Sequence, residues 1–197
     1  MRKRFTRMLV VFLLSLSTAQ AQTFPDEPLK VFRSYGEGLQ KPDSVFILDL
    51  SKQKRKFIPE EIRQFKNLRY LRLNKNDIRE LPSWIGELRE LRRLDLSNNR
   101  LTSLPPEIGS LKNLVYLGLN RNLIESLPPE IGNLTALEEL ELWDNEVDRI
   151  PEEVKHLHQL KVFDLRGILF SAEDQKRVAT LLPEAEVLFS PPCNCKN

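Results

Sequence analysis

Cysteine, histidine and glycine are scarce in this sequence: two, two and seven among 197 residues. The cysteines, Cys193 and Cys195, stand one residue apart in the final "SPPCNCKN". No disulfide framework therefore holds the chain together, and a ring closed across one intervening residue is strained. In an oxidising compartment the pair can close on itself, bridge two chains or stay free. The two histidines, His156 and His158, fall short of the ligand count of a zinc site. "DNEVD" (Asp144 to Asp148) lacks the glycine and the distal glutamate of a calcium loop. A phosphate-cradling glycine loop, an H-E-x-x-H motif and a serine or cysteine nucleophile within a catalytic motif are all missing. No metal, no cofactor and no catalytic activity are therefore expected.

Long apolar runs are also few. "MLVVFLLSLS" is about half the ~20 residues of a membrane span. It follows Arg2, Lys3, Arg4 and Arg7, with no acid among them, and precedes the small-residue site "TAQA". This order is that of a secretory signal peptide over residues 1–21, cleaved before Gln22, so an exported protein without a membrane span in its mature form is expected. No cysteine lies near Ala21, which argues against the lipid-modified kind of leader. The leader also carries the basic excess: of 30 basic and 28 acidic residues in the chain, 26 and 28 remain after cleavage. A chain with no cationic surplus is a poor partner for nucleic acid. Residues 22–197 suffice for one domain with a continuous core.

The most regular feature of the chain is a period. Leu48, Leu71, Leu94, Leu117, Leu140 and Phe163 lie 23 residues apart, and Leu50, Leu73, Leu96, Leu119, Leu142 and Leu165 follow two residues later. A fixed period of this length is the mark of a solenoid. In "LVYLGLNRN", Leu117 and Leu119 alternate with Tyr116, Gly118 and Asn120, the period of a short strand with one face inward. Successive strands run the same way, so each needs a crossover, and the rest of the unit provides it. Within "LPPEIGSL", Leu104, Ile108 and Leu111 have helix-like or 3₁₀-like spacing, and the prolines forbid a continuing strand. Gly86, Gly109 and Gly132 recur where the backbone turns tightly or packs closely. Asn76, Asn99, Asn122 and Asn145 form an invariant column. An inward asparagine must have its amide satisfied, so a ladder of side-chain bonds to the main chain is expected there.

The pattern LxxLxLxxNxLxxLPxxIxxL, met at Leu91 to Leu111 and again at Leu114 to Leu134, resembles the leucine-rich repeat family in its 23-residue form. That form occurs in bacterial leucine-rich repeat proteins and in Ras-binding scaffold proteins. The resemblance implies an α/β fold: a curved solenoid with a parallel sheet on its concave face and short helical or 3₁₀ segments on its convex face. The repeats cover residues 45–170 in about six units. Residues 22–44 are expected to cap the first unit as a helix presenting Leu29, Phe32, Tyr35 and Leu39. Residues 171–190 are expected to close the other end with a helix, N-capped by Ser171, and a strand. Residues 191–197 form the cysteine-containing tail, available for a disulfide-linked dimer through Cys193 or Cys195. The ends read as caps, so a whole domain is expected, with no room after the repeats for the ubiquitin-ligase domain of some bacterial members.

Function is then sought among the outward strand positions, which vary from unit to unit. They hold Tyr70, Arg72, Arg93, Tyr116, Glu139, Glu141 and Trp143, rich in the residue types that dominate interface energetics. Basic residues lie toward the beginning of the face and acidic ones toward its end, a layout that would orient a partner. The expected function is protein binding through the concave face. A scaffold component of the envelope and a carbohydrate or peptidoglycan binder are the alternatives. Trp84 stands alone on the convex side, and Asn133-Leu134-Thr135 has the form of a glycosylation site.

Overall fold

The computed structural model describes residues 29–192. The leader, residues 22–28 and both cysteines lie outside that range. Eight short strands form one parallel sheet in sequential order: β1 (Val31–Phe32), β2 (Ile47–Asp49), β3 (Tyr70–Arg72), β4 (Arg93–Asp95), β5 (Tyr116–Gly118), β6 (Glu139–Glu141), β7 (Val162–Leu165) and β8 (Glu186–Phe189). From β2 to β7 the register follows the sequence period: Leu48 faces Leu71, then Leu94, Leu117, Leu140 and Phe163. A slip by one residue would turn these fully buried side chains to solvent, so burial fixes the register.

Each crossover from β2 to β7 contains one 3₁₀ segment: Glu60–Gln64, Ser83–Glu87, Pro106–Ser110, Pro129–Asn133 and Glu152–His156. A proline precedes each of them and presets an extended backbone at its start. Their bonds span three residues, as from Ile108 N to Pro105 O (3.0 Å) and Leu111 N to Ile108 O (3.1 Å). Ile62, Ile85, Ile108, Ile131 and Val154 enter the core from these segments. The glycine column is explained by contact between neighbouring crossovers. A Cβ on Gly86 would stand 2.6 Å from Glu107 O, and one on Gly109 2.6 Å from Glu130 O. Both obstacles are backbone and cannot step aside. Gly109→Ala should therefore destabilise the fold by about 1–3 kcal/mol, read by thermal unfolding, through overpacking between units.

Where each of β2 to β7 ends, the chain turns through a left-handed residue: Lys52, Lys75, Asn98, Arg121, Asp144 and Gly167 have φ between 55° and 79°. The asparagines that follow hold the turn. Asn99 Nδ2 donates to Leu96 O (2.9 Å) and to Leu73 O in the preceding unit (3.0 Å), and its Oδ1 accepts from Ile78 N (3.1 Å). Asn122 repeats the set with Leu119 O, Leu96 O and Leu101 N. Asn145 does so with Leu142 O, Leu119 O and Ile124 N. In the first such rung Asn76 donates to Leu73 O and Leu50 O, while its Oδ1 accepts from both Gln53 N and Arg55 N. Each amide thus ties its own strand end to the unit before it.

The N-terminal cap differs from the single helical face expected over Leu29 to Leu39. Val31–Phe32 adds a strand to the sheet, and the helix α1 is confined to Tyr35–Gly38. β-branched Val31 and aromatic Phe32 favour extended backbone, and Gly36 and Gly38 weaken any longer helix. Phe32 is nonetheless buried, and Tyr35 and Leu39 pack against the core. At the other end helix α2 (Ala172–Leu181) begins at Ser171, whose Oγ accepts from Asp174 N (3.1 Å), and β8 joins β7. Among the described residues no helix is long and apolar enough to cross a membrane.

Candidate functional site on the concave face

The inward leucines of each strand force their neighbours onto the opposite face, and backbone pairing extends this alternation beyond the named strands. Arg121 N, for example, donates to Trp143 O (2.9 Å). Tyr70, Arg72, Arg93, Tyr116, Glu139, Glu141 and Trp143 therefore share one side of the sheet, spread over β3 to β6 and the turn after β6. Lateral spacing of about 4.8 Å per strand brings them into one patch roughly 15 Å across.

Not all outward positions are free of packing, as an alternation of faces alone would imply. Ser97, Gly118, Asn120 and Asp164 are buried. Ser97 Oγ donates to Asp95 Oδ1 (2.6 Å), and Arg166 grips Asp164 through Nε (2.9 Å) and a terminal nitrogen (2.6 Å). Tyr116 is half-buried and lies along its own strand above Gly118, where its hydroxyl donates to Glu141 Oε2 (3.0 Å). Gly118 makes this possible, since any Cβ there would meet Tyr116 Oη at 2.6 Å. The guanidinium of Arg93 stands 4.0 Å from the centre of the Tyr116 ring. Arg121 covers Trp143 in the same way at 4.7 Å and also approaches Asp144 (3.7 Å). Tyr116 and Trp143 are thus held by cation–π contacts with neighbouring arginines.

The carboxylates on the two halves of the face differ. Asp49 is opposed by burial, yet hydrogen bonds from Ser51 and the charge of Arg72 (3.5 Å) hold its pKa below the usual range. Glu141 is pushed upward by burial, and Glu139, Asp95 and Asp164 add to the rise against the hydrogen bond from Tyr116. The Tyr116 hydroxyl is itself raised far above its ordinary value by burial and then by Glu141 and Asp95. Among the described residues Asp49 is matched by Arg72, whereas Glu139 and Glu141 of β6 have no ion-pair partner, although Glu138 and Asp144 beside them do. The sequence columns show the residue types but not this diagonal contact between units. The signal that could have located it is Gly118, a lone glycine in a column otherwise of Asp, Arg and Glu.

On the convex side Trp84 packs partly against the core beside an open groove of about 650 Å³ that Arg63, Lys66, Glu87 and Arg89 also line. Glu87 is paired there with Arg63 (2.6 Å) and Lys66 (3.2 Å). Among the described residues no group of three or more metal-ligating side chains occurs.

A sequential parallel sheet, 3₁₀ crossovers and an asparagine ladder define a leucine-rich repeat solenoid. The model of the leucine-rich repeat region matches residues 39–185, and the chain belongs to this family. A leucine-rich repeat protein of Leptospira interrogans is similar over 83% of this chain and 49% of its own, with 34% identity and a TM-score of 0.68. The ectodomain of the Arabidopsis thaliana receptor kinase GASSHO1/SCHENGEN3, solved in complex with CASPARIAN STRIP INTEGRITY FACTOR 2, is 27% identical over 82% of this chain and 23% of its own, with a TM-score of 0.60. InlP of Listeria monocytogenes is 25% identical over 71% of this chain and 38% of its own, with a TM-score of 0.58. The chain spans about half the length of the Leptospira protein and less of the other two. No curated protein matches the sequence. Members of the family are generally non-catalytic scaffolds that bind proteins, and the fold described here is that of a protein-interaction module.

Proposed function

We propose that this protein is an exported, non-catalytic binding module that holds a protein partner on its concave face. The observation that carries the reading is the set of aromatic side chains already braced by arginines, Tyr116 under Arg93 and Trp143 under Arg121, on one continuous sheet face. Preset side chains lose less conformational freedom on binding, and aromatic and arginine residues supply most interface affinity. Export rests on the leader read in residues 1–21. The plant ectodomain with its bound factor is a related solenoid engaged with a partner, which supports a binding role for this one.

The test compares what the wild type and a Tyr70→Ala/Trp143→Ala variant retrieve from the same extract. Tyr116 is left intact in this experiment because its loss would disturb Glu141. Retrieval should fall at least tenfold, in keeping with hot-spot truncations of about 2 kcal/mol each. A convex Glu107→Ala/Glu130→Ala variant should retrieve normally. Equal retrieval by folded wild type and Tyr70→Ala/Trp143→Ala would remove the concave face from consideration.

A further inference from the structure

The turns that leave β2 to β6 stack along one edge of the solenoid, between the sheet and the 3₁₀ segments. A second ladder keeps them in register: Asp77 N donates to Arg55 O (2.8 Å), Arg100 N to Ile78 O (2.8 Å), Leu123 N to Leu101 O (2.9 Å) and Glu146 N to Ile124 O (3.0 Å). Equivalent residues of successive units therefore lie above one another on this edge, as they do on the sheet. The two ends of the edge carry opposite charge at the same positions. Lys52, Lys54 and Lys56 follow β2, and Asp144, Glu146 and Asp148, each four periods later, follow β6. All six are exposed.

Little within the chain uses these charges. Arg100 pairs with Asp77 (3.2 Å) and Arg121 loosely meets Asp144 (3.7 Å), but among the described residues Lys52, Lys54, Lys56, Glu146 and Asp148 are in no ion pair. Two further observations mark the basic end. Phe57, beside Lys56, is 80% exposed, whereas polar Glu80, Ser103, Ser126 and Arg149 hold its column in the later turns. Lys54, at φ 53°, is a left-handed residue outside the turn column, in a conformation that lysine resists. The first turn thus departs from the repeat in order to hold a lysine and a phenyl ring outward.

We propose that this edge is the contact between two copies of the chain, packed about a two-fold axis through the turn after β4. Such an axis exchanges the turn after β2 with the turn after β6 and keeps every column in its place. Lys52, Lys54 and Lys56 of one protomer then face Asp144, Glu146 and Asp148 of its partner, and the same set repeats at the far end. Phe57 falls opposite Arg149, a ring against a guanidinium. Nearer the axis Arg79 meets Glu125. Like charges meet at Lys75 with Arg121 and at Arg100 with its own copy, and both arginines already have a carboxylate within the chain. The strip is about 20 Å long, from five turns about 4.8 Å apart. That is small for a specific interface, so its strength rests on charge and should fall with salt. An anionic lipid surface would suit the basic end alone and would be repelled by the acidic end of the same edge. The concave faces stay open, side by side and running in opposite directions, so the contact does not rest on the concave-face reading.

The test reads the oligomeric state of the mature chain by sedimentation equilibrium, under reducing conditions so that Cys193 and Cys195 form no link. The wild type should associate to a dimer and stop there, and raising the salt from about 20 mM to about 300 mM should weaken association at least tenfold. Lys54→Glu/Lys56→Glu and Glu146→Lys/Asp148→Lys should each weaken it at least tenfold, with melting temperatures unchanged because all four side chains are exposed. Each variant carries one sign of charge at both ends of the edge. An equimolar mixture of the two should therefore pair about as tightly as the wild type, a recovery that misfolded protein would not give. Tyr70→Ala/Trp143→Ala should dimerise normally, which separates this contact from the partner site. A chain that stays monomeric at about 0.1 mM in low salt would overturn the proposal. Sedimentation of that monomer with phosphatidylglycerol vesicles would give the edge to lipid instead. Variants that dimerise like the wild type, or a mixture that fails to recover, would also overturn it. So would growth beyond two copies, since that would mean an open head-to-tail contact between the two ends.

Discussion

Replacing Asn99 with alanine should lower the stability of the fold by about 2 kcal/mol, because Ile78 N loses its acceptor and two buried carbonyls each keep only one side-chain donor, Asn76 on Leu73 O and Asn122 on Leu96 O. Leu73 O and Leu96 O would lose a donor, and Ile78 N would lose an acceptor. None can turn to solvent, since Asn99 is buried and the leucines beside it are fully covered. The neighbouring Asn98 is a different case. Its φ of 55° lies in the left-handed region, which asparagine tolerates and alanine resists, so Asn98→Ala should cost about 1 kcal/mol without touching the ladder. Exposed Ser103 is the neutral comparison, with an expected change below about 0.5 kcal/mol on mutation to alanine. Urea unfolding of the three variants should rank them in that order. A shift at Asn99 no larger than at Ser103 would mean that the amide does not carry the turn.

The repeating part of this fold was legible because its constraints act on single positions. A leucine every 23 residues can be buried in only one register, and an asparagine in a buried column must find main-chain partners. The crossovers were legible in place but not in type, since Leu104, Ile108 and Leu111 fit an α-helix as well as a 3₁₀ segment. Proline before each segment and glycine packed against the next crossover favour the tighter form. The N-terminal cap departs from its sequence pattern for a related reason. The spacing of Leu29, Phe32, Tyr35 and Leu39 suits a helix, but Gly36 and Gly38 lie between them, and the edge of β2 offered Val31 and Phe32 a strand to pair with.

The concave face was legible as a surface and not as a set of interactions. A period aligns residues in columns, so it shows Tyr116 beside Arg93 and Glu139 in the first column and Gly118 beside Glu141 in the second. It does not show that Tyr116 leaves its column to meet Glu141, 25 residues on. That depends on the missing side chain of Gly118. Nor does it show that Ser97, Asn120 and Asp164 are covered by their neighbours. Diagonal contacts between units decide which outward residues remain available to a partner.

The same unit-to-unit logic governs how the solenoid should come apart, and Phe163→Ala is the change that exposes it. Phe163 is fully buried in β7 and faces Leu140 on one side and Val187 on the other. Truncating it should cost about 3–5 kcal/mol, the range for a large core side chain whose cavity cannot close. In a solenoid each unit contacts only its neighbours, so this loss should fall first on the end that Phe163 supports. Beyond the β7–β8 ladder, the ties on that end include Glu186 N to Lys161 O (2.8 Å), Gly167 N to Ser190 Oγ (2.8 Å), Gln175 Nε2 to Ser190 O (3.0 Å) and Arg177 to Ile150 O (3.0 Å). Hydrogen exchange at Glu186 and along α2 should therefore quicken by about two to three orders of magnitude, since each tenfold corresponds to about 1.4 kcal/mol. The amides of Leu73 and Leu96, bonded to Asp95 O and Gly118 O in the middle of the sheet, should remain protected. Leu94→Ala, at the equivalent position of a central unit, should instead accelerate both sets together, because opening there separates the two halves of the stack. Uniform acceleration in the Phe163 variant would show that the eight strands melt as one body, and that the C-terminal cap is no weaker than the repeats it covers.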